Sequence, residues 1–98
     1  MDYSIHWTRR ASIDVAHIYD FYLKLSGTVV ANNRLRKISD TVRYLKRFPY
    51  IGRIDDENLD APTYRYIIVL DYRIYYFIEE DSVYIATIWD NRQGSKPF

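Results

Sequence analysis

Three arginines could take part in chemistry: Arg65, Arg73 and Arg92. They lie in, or just beyond, the last three segments that read as β-strands, which should be neighbours in one sheet. A guanidinium stays protonated and binds phosphate through two parallel hydrogen bonds, so several on one face could hold RNA or stabilise a phosphorane-like transition state. The alternative is that each arginine pairs with water or with a carboxylate such as Asp90.

The sequence offers few other groups for catalysis. There is no cysteine, which excludes disulfides, thiol nucleophiles and cysteine-ligated zinc. His6 and His17 lack the spacing of a metal site, and we assign both of them structural or surface roles. With only 3 glycines, neither a phosphate-binding loop nor a nucleophile elbow is present. We therefore expect no metal and no other cofactor.

Composition indicates one folded domain over residues 1–98. Hydrophobic residues make up 48% of the chain and charged residues 28%, which is typical of a folded protein rather than a disordered one. No apolar run approaches the roughly 20 residues that span a bilayer, so no membrane partner is expected. The N-terminus shows no signal peptide, and we expect a cytoplasmic protein.

Charge is polarised along the chain, although the formal net charge is only +1. Residues 32–47 carry six cations against the single Asp40, and residues 55–60 directly after them are acidic. A polarised surface suits a charged partner, whereas the alternative is that the cations simply solvate the outer face of a helix. The cations are Arg34, Arg36, Lys37, Arg43, Lys46 and Arg47.

The elements that would position these groups follow from hydrophobic spacing. Alternation predicts a strand over 3–7, and apolar residues every three or four positions predict two helices, separated at Gly27 and ended at Phe48-Pro49. Three further strands are predicted over 63–70, 72–78 and 83–89, joined by short turns. The fold class is therefore α+β, in the order β-α-α-β-β-β, with the helical hairpin packed on one face of a small, mainly antiparallel sheet.

Alternation also assigns residues to the two faces of the sheet. Ile74, Tyr76 and Ile78 share one side of their strand, while Arg73, Tyr75 and Phe77 share the other. In the preceding strand, Arg65 lies with Ile67 and Val69. One face must pack against the helices. The other presents aromatic and basic groups, and we interpret it as a binding surface.

Several stretches resemble one known family. The segments "PYIG", "DYRIYYFIEEDSVYIATIW" and the terminal "WDNRQ", together with the order of elements, are similar to the RelE/ParE superfamily of bacterial toxins. The similarity spans essentially the whole chain. It implies the toxin component of a type II toxin–antitoxin module, neutralised by a cognate antitoxin in a hetero-oligomer.

The resemblance implies two alternative mechanisms. RelE-like members cut mRNA on the ribosome, using basic residues on the sheet and near the end of the last strand, whereas ParE-like members poison DNA gyrase. Arg73 and Arg92 match two arginines of the nuclease branch and are the catalytic candidates. Further residues expected to bind substrate or target are Arg65, Tyr66, Tyr75, Asp90 and Phe98.

Departures from the nuclease pattern favour the ParE-like branch. Tyr64 and Tyr66 occupy the stretch where that branch places lysines, and Asp90 stands where many members carry histidine. Phe98 could stack but cannot exchange a proton. We expect a toxin that inhibits growth by binding a target such as gyrase. The alternatives are an mRNA endoribonuclease and an inactive family member that retains only a binding or regulatory role.

Overall fold

The computed structural model describes residues 2–57, 60–94 and 97–98. The acidic stretch over 55–60 includes Asn58 and Leu59, which lie outside the described residues. The elements in chain order are β1 (Ser4–Trp7), α1 (Arg9–Ser26), α2 (Thr28–Leu45), β2 (Arg53–Ile54), β3 (Arg65–Val69), β4 (Tyr72–Glu79) and β5 (Ser82–Asp90).

The sheet confirms the α+β prediction and adds one strand to it. Its five strands run in the order β1-β5-β4-β3-β2, with β1 parallel to β5 and the other neighbours antiparallel. The added strand is β2, which lies between the predicted end of the second helix and the strand predicted over 63–70. It has only 2 residues, and two residues cannot show a hydrophobic alternation. It forms because Arg53 and Ile54 pair with Tyr66 and Arg65.

Local chemistry explains where the helices begin and end. The Thr8 side chain accepts a hydrogen bond from the backbone N–H of Ala11, which starts α1, and its hydroxyl donates to the Ile85 carbonyl 2.7 Å away. The helix is thereby fixed to β5 at its first turn. Gly27 adopts φ 89°, a left-handed conformation that favours glycine, and separates α1 from α2. In the described ranges, neither helix combines the length and apolar character needed to cross a bilayer.

The core lies between the helical hairpin and one face of the sheet. The predicted sides of β4 are confirmed, because Ile74 and Tyr76 are fully buried against the helices. Tyr22 of α1 and Ile38 of α2 enter the same core through their regular helical spacing. Other buried members are Ala11, Ala31, Val42, Leu45, Tyr72, Val83, Ile85 and Ile88.

The loop after α2 is fixed to the sheet by one tyrosine. The buried Tyr76 hydroxyl donates to the Pro49 carbonyl at 2.7 Å and accepts from the Gly52 N–H at 2.8 Å. Arg65 adds hydrogen bonds to the carbonyl oxygens of Tyr50, at 3.2 Å, and Gly52, at 2.9 Å. These contacts place β2 beside β3, and they give the loop a defined conformation without regular structure of its own.

Candidate functional site

The sheet separates the arginines that the sequence singled out. In the β4–β5 register Arg73 lies opposite Trp89, and Tyr72 lies opposite Asp90. Cross-strand partners share a face of the sheet, and successive residues along a strand alternate between the two faces. Asp90 therefore faces the helices, whereas Arg73 lies on the opposite face, which we call the helix-free face. Arg92 follows Asp90 and lines a groove beside α1. The structure therefore places Arg73 and Arg92 on opposite sides of the sheet.

Arg73 is held in place by two tyrosines. Its guanidinium carbon lies 4.4 Å from the centre of the Tyr66 ring, and its Nη1 donates to the Tyr75 hydroxyl at 3.4 Å. The hydrogen bond that Arg73 donates to Tyr75 raises the pKa of Arg73 above its usual value. Its Nε is buried and has no hydrogen-bond partner among the described residues. Arg73 is thus a fixed cation with an unused donor.

Residues near the C-terminus cover part of the helix-free face. The Phe98 ring stacks on Tyr64 with centres 4.0 Å apart and meets the edge of Tyr75 at 5.3 Å. Arg10, in the first turn of α1, donates to the Pro97 carbonyl at 3.3 Å. Tyr75 is only 1% exposed in consequence. Of the aromatic candidates, Phe98 is the exposed one, at 44%, whereas Tyr66 is half-buried.

Asp90 and Arg92 form a hydrogen-bonded ion pair on the side of the sheet that faces the helices. Arg92 donates to the two Asp90 oxygens from Nε at 3.0 Å and Nη2 at 2.7 Å, and its backbone N–H adds a third bond at 2.9 Å. The hydrogen bond from Arg92 lowers the pKa of Asp90, and in return Asp90 raises the pKa of Arg92. A carboxylate with a lowered pKa is a weaker base, so this pairing removes proton affinity from Asp90.

The Asp90–Arg92 pair lines a groove between α1 and the end of β5. The groove has a volume of about 340 Å³. His17 of α1 lines it as well, although no sequence pattern places this histidine near Arg92. Tyr72 forms part of the wall, and burial raises its pKa to about 12. The groove can accept hydrogen-bonding or charged groups. Among the described residues, no cluster of potential ligands could hold a metal ion.

Arg65 belongs to neither of these two regions. Its hydrogen bonds go to the backbone of the loop after α2, and its guanidinium carbon lies 5.1 Å from the centre of the Tyr50 ring. It stands opposite Tyr76 in the β3–β4 register. The three arginines that looked like neighbours in the sequence are therefore at three separate places.

The Asp90–Arg92 pair gives a pH-dependent prediction. A carboxyl whose pKa is lower in the folded chain than in the unfolded chain stabilises the fold above its unfolded pKa, about 3.9. That stabilisation is lost as the pH falls through the folded pKa. We therefore expect the free energy of unfolding of the wild type to exceed that of Asp90→Asn near pH 7. The difference should shrink below about pH 4. Urea denaturation across this pH range measures it.

A second variant controls for the other carboxyl groups. Asp20 is an exposed aspartate on α1, and Asp20→Asn should give a difference close to zero throughout the same range. If the wild type kept its full advantage over Asp90→Asn down to about pH 2, the lowered pKa of Asp90 would be refuted.

Comparisons with known proteins add to this geometry. Among solved structures, a chain described as the chromosomal ParDE toxin–antitoxin system from P. aeruginosa matches with a TM-score of 0.76 and 23% sequence identity. The match covers 90% of this chain and 95% of that chain, and at this identity it shows the shared fold. No curated protein matches the sequence.

A family model covers nearly the whole chain. It is described as the ParE toxin of the type II toxin–antitoxin system parDE, and it matches residues 5–94. That range begins within β1 and ends beyond β5, so it includes both helices and all the strands of the antiparallel part of the sheet. The chain therefore belongs to the ParE toxin family and is the toxin component of a type II toxin–antitoxin system.

Proposed function

We propose that this toxin inhibits growth by binding a cellular protein, DNA gyrase, rather than by cutting RNA. The observation that carries the proposal is the separation of Arg73 and Arg92 by the sheet. A nuclease that used both arginines on one scissile phosphate would need them on the same side. Gyrase is the target that the ParE-like resemblance implies.

The surroundings of each arginine also argue against RNA cleavage. In-line attack by a 2′-hydroxyl needs a base for that hydroxyl and an acid for the leaving oxygen. Arg73 contacts Tyr66 and the buried Tyr75, and a guanidinium cannot itself accept a proton. Asp90, the carboxylate closest to Arg92 in sequence, is engaged by three hydrogen bonds and has a lowered pKa.

A cognate antitoxin is the second part of the proposal. The helical hairpin leaves several large apolar side chains exposed, among them Phe21 at 57%, Leu25 at 65% and Val29 at 72%. The exposed cations of α2, such as Arg36 and Lys37, lie on the same hairpin. An antitoxin segment with apolar and acidic side chains would cover this surface, and the result is a toxin–antitoxin hetero-oligomer.

Two parallel reactions distinguish binding of gyrase from cleavage of mRNA. The purified protein, with and without the antitoxin from the neighbouring gene, is added to a gyrase supercoiling reaction and to a translating ribosome extract. We expect inhibited supercoiling that the antitoxin relieves, with the mRNA left intact. Arg73→Ala and Arg92→Ala should inhibit supercoiling to within about twofold of the wild type, since neither arginine has a catalytic role.

Two other results would support the two alternative functions. Ribosome-dependent cleavage of mRNA, abolished by Arg73→Ala, would replace the proposal with the endoribonuclease. No growth effect at good soluble expression would indicate the inactive family member.

A further inference from the structure

The Phe98 ring occupies a slot between aromatic side chains on the helix-free face. It stacks on the Tyr64 ring at 17°, with centres 4.0 Å apart, and stands at 89° to the Tyr75 ring, with centres 5.3 Å apart. The Arg10 guanidinium carbon lies 5.7 Å from the centre of the Phe98 ring. We call the space between Tyr64, Tyr75 and Arg10 the aromatic slot. Stacked, perpendicular and cation–π contacts are the arrangements that aromatic rings prefer, so the slot selects an aromatic ring.

The slot also contacts the backbone of its occupant. Arg10 donates from Nη1 to the Pro97 carbonyl at 3.3 Å, in addition to its contact with the Phe98 ring. One arginine thus recognises both a ring and the carbonyl of the residue before it. A peptide that carries an aromatic residue offers both groups, whereas an isolated aromatic ring offers only one of them.

Phe98 is not part of the core of the protein. It is 44% exposed and lies outside the cluster of buried residues, whereas Tyr75 beneath it is 1% exposed. The described residues that precede it in the chain, 91–94, are all exposed, and a Cβ at Gly94 would have no neighbour within 4 Å. Segments with few buried contacts open at a low cost in free energy. Phe98 can therefore leave the slot and expose Tyr75 while the rest of the fold remains intact.

We propose that the aromatic slot binds an aromatic residue of a partner polypeptide, and that Phe98 closes it through an autoinhibitory contact. Residues 97–98 of this chain show the chemistry that the slot accepts, namely an aromatic side chain preceded by a backbone carbonyl. A short tether gives Phe98 an effective concentration in the millimolar range, so a partner displaces it by adding contacts outside the slot. The proposal goes beyond the proposed function and does not depend on the identity of the toxin's target.

Two other occupants fit the slot less well. A second copy of this chain offers the same two residues without the tether, so the chain's own Phe98 outcompetes it. A nucleobase could stack on Tyr64, but the edges of its ring carry hydrogen-bonding groups. The Tyr75 hydroxyl already accepts from Arg73 at 3.4 Å, so it does not replace the hydrogen bonds that a nucleobase makes with water.

The test adds the occupant as a separate molecule. The probe is a synthetic peptide, Gly-Ser-Lys-Pro-Phe, with the sequence of residues 94–98, and its control has alanine in place of phenylalanine. Each peptide is titrated to about 10 mM into the wild type and into Phe98→Ala, while NMR follows the backbone amide signals of Tyr64 and Tyr75. Phe48→Ala is the matched protein control. Phe48 is 46% exposed and packs on a tyrosine ring outside the slot, and it follows α2, outside the hairpin surface assigned to the antitoxin.

We expect Phe98→Ala to bind the phenylalanine peptide with a Kd of about 1 mM, and the alanine peptide at least about tenfold more weakly. The wild type and Phe48→Ala should bind the phenylalanine peptide at least about tenfold more weakly than Phe98→Ala does, because their own Phe98 occupies the slot. Adding Arg10→Ala to Phe98→Ala should weaken binding by about fivefold. Adding Arg47→Ala, at another exposed arginine, should change it by less than about twofold.

Circular dichroism verifies that every variant is folded. If Phe98→Ala unfolds, Phe98→Leu takes its place, because leucine keeps the apolar bulk and removes the aromatic ring. The proposal is overturned if the Phe98 variant binds the phenylalanine peptide no more tightly than the wild type does, or if the alanine peptide binds equally well. An affinity that Arg10→Ala leaves unchanged overturns it as well, since the occupant then lies elsewhere.

Two further outcomes would identify a different occupant. Tighter binding of adenosine monophosphate than of the peptide by Phe98→Ala would assign the slot to a nucleotide. A wild-type dimer that Phe98→Ala dissociates would assign it to Phe98 of a second copy. Either result overturns the proposal.

Discussion

Replacing Gly52 with alanine should lower the free energy of unfolding by about 3 kcal/mol. A methyl group at this position would overlap the hydroxyl oxygen of Tyr76 and lie 2.8 Å from two of its ring carbons. Tyr76 is fully buried, so its ring has no free space into which to move. Any shift that relieves the overlap would also break the hydrogen bonds that join Tyr76 to Gly52 and Pro49. Urea denaturation followed by tryptophan fluorescence measures the change.

Two further variants identify the cause of that destabilisation. Gly94 has open space around its Cα, so Gly94→Ala should alter stability by no more than about 0.5 kcal/mol. Tyr76→Phe removes the hydroxyl and leaves two backbone groups without a partner, at a cost of about 1–2 kcal/mol. The double variant should be less destabilised than the sum of its parts, because phenylalanine lacks the oxygen that the methyl group meets. A stability of Gly52→Ala close to wild type would show that the loop moves freely away from Tyr76.

Much of the fold could be predicted because its signals are local. Apolar residues at helical spacing located both helices, and alternation in one strand separated Ile74 and Tyr76 from Arg73 and Tyr75. Both patterns depend only on neighbours in the chain, so no long-range contact is needed to interpret them. The short strand β2 could not be predicted, because only its hydrogen bonds to β3 define it. Its own two residues carry no pattern that indicates a strand.

The candidate site was harder to predict because its geometry depends on register. Arg65, Arg73 and Arg92 occupy adjacent strands or their ends, and residue type alone gave no reason to separate them. Their separation follows from which residues stand opposite one another, namely Arg73 with Trp89 and Tyr72 with Asp90. The short spacing of Asp90 and Arg92 does favour their pairing, which is the ordinary alternative to a role in binding phosphate.

Contacts between α1 and β5 carry no sequence signal at all, yet one of them should affect stability strongly. Asp14→Ala is expected to lower the free energy of unfolding by about 2–3 kcal/mol. One oxygen of the Asp14 carboxylate accepts from the Thr87 hydroxyl and from the Ile88 backbone N–H at 3.1 Å. Thr87 is fully buried, so without the carboxylate its hydroxyl has no access to water.

The reason that β5 needs Asp14 is the length of its neighbour. The register of β1 on β5 ends at Ile85, so beyond that residue no strand within the described part of the chain accepts the N–H groups at the outer edge of β5. Asp14 supplies an acceptor at Ile88 and thereby joins α1 to the sheet beyond the end of β1. Asp14→Asn keeps one acceptor oxygen and should lose less stability than Asp14→Ala.

A double-mutant cycle tests whether the effect passes through Thr87. Thr87→Val removes the hydroxyl but keeps the shape of the side chain, so Asp14→Ala should cost less in that background, with a coupling of about 1 kcal/mol. Asp20→Ala, an exposed aspartate on the same helix, should change the free energy of unfolding by no more than about 0.5 kcal/mol. Additive effects of the Asp14 and Thr87 changes would show that this hydrogen bond does not stabilise the fold. The loss on Asp14→Ala would then come from the Ile88 N–H alone.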